Sequence, residues 1–159
     1  ALLAVSTVIP ASAMADALAG SYLAGRAATY DSDYAAAALY YTQALMQDPN
    51  NPRLMENVIF AQLAMGKADL AVPIAERLAA TGARSQVANI VLAGGYAAAG
   101  DFQALLDRDP ESAAIHPLVD GLLEGWAQIG TGSITGALKS FDALAQDGSL
   151  EPFVLYHRA

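Results

Sequence analysis

The residues of this chain whose types could do chemistry are two histidines, His116 and His157, and a few short acidic runs. Imidazole serves as a metal ligand or general base only when a second ligand or a reacting group is held beside it. His116 precedes Pro117 at a helix start and His157 stands beside Arg158; neither has a second histidine four residues away, the offset of metal-binding helices. Asp31 and Asp33 resemble the opening of a calcium loop, but the glycine and distant glutamate that complete one do not follow. They read instead as a turn between two helices, one of them capping the second. Asp107, Asp109 and Glu111, with Arg108 among them, read as a solvated loop. Gly66-Lys67-Ala68 lacks the glycine-rich lead-in and the hydroxyl of a phosphate loop. Gly94-Gly95 falls inside a helix, where it allows close helix contact. Spacing supports no serine, histidine and acid arrangement. The chain is therefore not read as an enzyme, and no catalytic residue, metal site or cofactor is expected.

The elements that would position these residues repeat. Tyr34, Ala37, Tyr41 and Ala44 fall at steps of three and four, on one face of a helix that Asp48-Pro49-Asn50-Asn51-Pro52 closes. Ala37 and Ala71 stand 34 residues apart, as do Gly66 and Gly100; Gly100 and Gly132 stand 32 apart. This register predicts helix-turn-helix units over residues 18–51, 52–85, 86–117 and 118–148, and the start of a fifth over 149–159. In the third unit the polar run from Asp107 to Ser112 ends the second helix early, and His116-Pro117 opens a new one running to about Ile129. Pro73 lies inside a helix, where proline is tolerated only on a solvent-facing side.

Gly25, Ala37, Tyr41, Ala44 and Pro49 in the first unit carry a resemblance. So do Gly66 and Ala71 in the second, Ala93, Tyr96 and Gly100 in the third, and Gly125, Gly132, Ala137 and Phe141 in the fourth. The pattern resembles the tetratricopeptide repeat family, a helix-turn-helix of about 34 residues. Departures are Ile59 where a small residue belongs, Ala28 and Gln62 where an aromatic belongs, and the curtailed helix of the third unit. The resemblance implies an all-α fold, with antiparallel helix hairpins stacked in a right-handed superhelical solenoid over residues 16–159. Stacking is the physical point, since a single such hairpin buries too little apolar surface to offset the entropy of ordering it.

Composition narrows the partners. The 159 residues are 55% hydrophobic, much of it alanine, and carry a net charge of −8 with no basic cluster. Nucleic acid is disfavoured, because binding it requires cations that displace counterions. The absence of cysteine removes disulfides and thiolate chemistry. Residues 1–15, ALLAVSTVIPASAMA, are uncharged and apolar and end Ala13-Met14-Ala15. They read as the back half of a secretory signal peptide, which predicts an exported bacterial protein of the periplasm. No later stretch is expected to span a membrane. The missing initiator methionine and the apolar face of Phe153, Leu155 and Tyr156 near the end predict an amino-terminal section of a longer protein.

In the family resembled, the first helix of each unit lines the concave face. That places Tyr22, Arg26 and Tyr30, then Arg53, Glu56, Phe60 and Leu63, then Ile90, and finally Leu122, Trp126 and Ile129 as candidate partner-binding residues. The lysines and asparagines with which some relatives clamp a terminal carboxylate are not at the matching positions. The function expected is a protein-interaction scaffold of the cell envelope, gripping a peptide or helix in its groove. The alternatives are an accessory module of a larger envelope enzyme, or a binder of a lipid or other small apolar ligand.

Overall fold

Helix ends are set by local chemistry repeated along the chain. The computed structural model describes residues 11–158, and among them every regular element is an α-helix. The export reading of residues 1–15 lies mostly outside the described residues. Among the described residues the first helix is already present at Ala11, ahead of the predicted Leu18.

Two compact units divide between Ala71 and Val72. The first holds α1 (Ala11–Tyr30), α2 (Tyr34–Gln47), α3 (Pro52–Ala64) and the opening of α4 (Ala68–Ala80). The second holds the rest of α4, then α5 (Gln86–Ala99), α6 (Phe102–Leu106), α7 (Pro117–Gly130), α8 (Ile134–Leu144) and α9 (Glu151–Arg158). Pro73, inside α4, is exposed as expected. Within each unit, helices adjacent in sequence pack on one another: α1 on α2 and α2 on α3, then α5 through α9 in succession.

Four turns share one construction. A residue at positive φ follows the helix, and the next amide reaches back five residues to a carbonyl of the last turn. The bonds are Asp33 to Ala28 (2.8 Å), Lys67 to Gln62 (2.9 Å), Asp101 to Tyr96 (2.9 Å) and Ser133 to Gln128 (2.8 Å). Three of these donors then cap the following helix: Asp33 accepts from Ala36 N, Asp101 from Ala104 N and Ser133 from Gly136 N. The left-handed position is glycine at Gly66, Gly100 and Gly132, but serine at Ser32, with φ of 60°. A side chain in that region costs about 1 kcal/mol. Ser32→Gly is therefore expected to raise the unfolding free energy by about 0.5 kcal/mol, after the entropy glycine loses. A urea-unfolding midpoint that stays put or falls would count against a strained turn.

Small residues let the helices close up. A Cβ on Gly25 of α1 would lie 2.7 Å from Cδ1 of Tyr41 on α2, so the buried tyrosine ring rests on bare backbone. The Thr29 hydroxyl pairs with the Tyr41 hydroxyl at 3.2 Å. In the second unit Phe141 and Leu144 of α8 occupy the space beside Gly125 and Gly121 of α7 in the same way. The partner's number falls as α7 advances, so α7 and α8 run antiparallel. Phe141, Ala137 and the fully buried Val154 of α9 form one core cluster. Ala93, Leu105 and Ala127 form another, with Phe102 of α6 seated against Gly130 of α7.

Where α6 stops after five residues, the chain does not go slack. Asn89, 7% exposed on α5, donates to the carbonyls of Ser112 (3.1 Å) and Ala114 (2.9 Å), and Gln86 donates to that of Ile115 (2.8 Å). Arg108 donates to the Ala113 carbonyl and pairs with Asp120 at 3.3 Å. The other Asp120 oxygen accepts from the amides of Ile115 and His116, each at 2.9 Å. His116 then caps α7, its Nδ1 accepting from Leu118 N at 3.3 Å.

Candidate functional site

The candidate residues fall into two groups, one in each unit. In the first unit, Tyr22, Arg26 and Tyr30 share α1. Tyr22 is half-buried with its ring 6.2 Å from that of Tyr41, and the Arg26 guanidinium stands 6.0 Å from the Tyr22 ring centre. Tyr30 is 90% exposed, one turn further on. On α3, Arg53 is exposed beside the Asn51 cap, Glu56 and Leu63 are half-buried, and Phe60 is exposed. The Phe60 ring meets Tyr34 of α2 edge-on at 6.1 Å. Sequence spacing placed Tyr34 on one face of its helix but not beside Phe60, because it looked along helices rather than between them.

In the second unit, Ile90 on α5 is exposed. On α7, Leu122 packs on the cluster of Ala137, Phe141 and Val154, whereas Trp126 and Ile129 remain open to solvent. Trp126 is 48% exposed, its ring edge-on to Phe141 at 6.4 Å and to His157 of α9 at 6.0 Å. Its indole N–H donates to His157 Nδ1 at 3.1 Å. His157 is thus a positioning partner of the tryptophan, a contact across 31 residues that no helical spacing announces.

Half-exposed aromatics and arginine held in one orientation by packing can bind other molecules without ordering many rotamers on contact. Residues 28–93 match the family model described as tetratricopeptide repeat. No curated protein matches the chain. The match supports a tetratricopeptide repeat family, and the helix hairpins of the structure agree with that fold. Tetratricopeptide repeats generally serve as protein–protein interaction modules. Among the described residues no helix is long and apolar enough to cross a membrane.

Proposed function

We propose that this chain is a protein-interaction scaffold of the cell envelope that holds a peptide or helix against the first helices of its tetratricopeptide hairpins. The observation that carries the reading is the set of aromatic side chains that stay open on those helices, Tyr30 and Phe60 in one unit and Trp126 in the other. Burying such a ring against a partner releases apolar area at low entropic cost, because two torsions define it. The apolar, uncharged residues 1–15 support export, and the net charge of −8 favours a protein partner over nucleic acid.

The test is capture from an envelope extract with the chain as bait, comparing the parent with Tyr30→Ala and Trp126→Ala. Tyr30 is almost wholly exposed, so its truncation leaves the fold intact; Trp126→Ala is checked by circular dichroism, because it also removes ring contacts. The expected result is a partner whose recovery falls at least ten-fold in one or both variants, the range of interface aromatics. Equal recovery by all three baits would remove the first-helix face from consideration.

A further inference from the structure

The early stop of α6 leaves space that a full second helix would fill, and the structure holds two cavities there. One, of about 330 Å³, is lined by Leu105, Leu106, Leu123, Asp109 and Glu124 among others. The second, of about 370 Å³, lies over Asn89, Leu92 and Tyr96. Arg108 and Ala113 line both. The loop that bounds them is held by the bonds of Asn89, Gln86, Arg108 and Asp120, so both cavities belong to a built segment.

The first cavity has a defined chemistry. Leu105 is buried and Leu106 and Leu123 are half-buried, making an apolar floor, while Asp109 and Glu124 are exposed at the mouth. The charges of Arg108 and Asp120 offset each other as an ion pair. Glu124 accepts from the Ser140 hydroxyl through one oxygen, Oε1. Asp109 is held below its ordinary carboxylate value, first by the Ser112 hydroxyl, then by the amides of Ser112 and Glu111, and to a smaller extent by the nearby Arg84 charge. The mouth therefore presents two carboxylates, Asp109 with the Arg84 charge nearby and Glu124, over an apolar floor.

We infer that this cavity receives a lysine or arginine side chain of the partner polypeptide, its stem on Leu105, Leu106 and Leu123 and its cationic head between Asp109 and Glu124. Such side chains bury their methylenes on apolar surface and keep the charge at the edge. The charge is complementary locally, and also globally, since the whole chain carries −8. This inference deepens the proposed protein-binding function and rests on it in one respect, that the ligand belongs to a polypeptide.

Three blocked tripeptides, Ala-Lys-Ala, Ala-norleucine-Ala and Ala-Glu-Ala, are titrated into the ¹⁵N-labelled chain. The expected result is shifts of the Leu105, Ala113, Gly121 and Leu123 amides with the lysine peptide, weaker ones with norleucine and none with glutamate. Glu124→Gln and Asp109→Asn, which keep an acceptor oxygen for Ser140 and Ser112, should each weaken lysine-peptide binding about three-fold, as for a solvent-exposed ion pair. Added salt should have the same effect. Equal shifts with lysine and norleucine, or no shifts at these amides, would overturn the inference. If the peptides fail while partner capture still depends on Trp126 or Tyr30, the cavity assignment alone falls. If the lysine peptide binds as expected and capture is insensitive to those aromatics, the first-helix face falls and the cavity stands.

Discussion

Gly125→Ala is expected to lower the unfolding free energy by about 2 kcal/mol, the balance of a steric clash against a gain in helix propensity. The added Cβ would clash with the edge of the Phe141 ring, itself 2% exposed and packed with Ala137 and Val154. Overpacking of this kind typically costs about 1–3 kcal/mol, and here the obstruction is a rigid ring rather than the end of a flexible chain. Alanine's better helix propensity, worth about 1 kcal/mol, recovers only part of the loss. Two comparisons isolate the cause. Gly20→Ala in α1 meets nothing within 4 Å and should stabilise, so the same substitution changes sign with its surroundings. Gly125→Ala combined with Phe141→Leu should be less damaging than the two single effects added together, because the smaller side chain gives way. Urea unfolding of the four proteins checks this; simple additivity would mean that the ring and the glycine are not in conflict.

Asp120→Ala is expected to cost about 2–3 kcal/mol and to release the segment after α6. The carboxylate holds Arg108 through one oxygen and the amides of Ile115 and His116 through the other. Its removal leaves a guanidinium 12% exposed without its counter-charge, and two amides without their acceptor. The estimate lies below that for a fully buried pair because the Asp120 side chain is 31% exposed. Hydrogen exchange locates the effect: the Ile115 and His116 amides should lose protection first, with Asp120→Asn in between because it keeps one acceptor oxygen. Unchanged exchange at those two amides would show that the loop is held without the aspartate.

The helix boundaries were legible because each rests on a few neighbouring residues. Asp33, Asn51-Pro52, Gly66, Gly100 and His116-Pro117 act within a turn of where they sit, so their types alone announce a start or a stop. The curtailed α6 followed from the polar run after Leu106 in the same way. Gly25, Tyr41, Gly125 and Phe141 were legible as small and aromatic positions of the repeat, but their pairing across each hairpin was not. Ser32 was not, since a serine gives no sign of a left-handed backbone where other turns use glycine. Nor was the purpose of Asn89, Arg108 and Asp120 legible. Asn89 reads as one polar residue in an apolar helix, and Arg108 as one more charge in a loop, until bonds spanning 12 to 25 residues bring them to the same loop. Of the candidate residues, spacing named Tyr30, Phe60 and Trp126, whose side chains are exposed, but not the contacts by which rings of other helices hold Phe60 and Trp126.

The chain contains one tryptophan, and that indole bonds a residue on α9 while its ring touches α8. Its emission is accordingly a native optical gauge of whether the last helix is seated. Fraying of α9 should register as a change in intensity and wavelength ahead of global melting, with no label introduced and no second fluorophore of that kind to subtract.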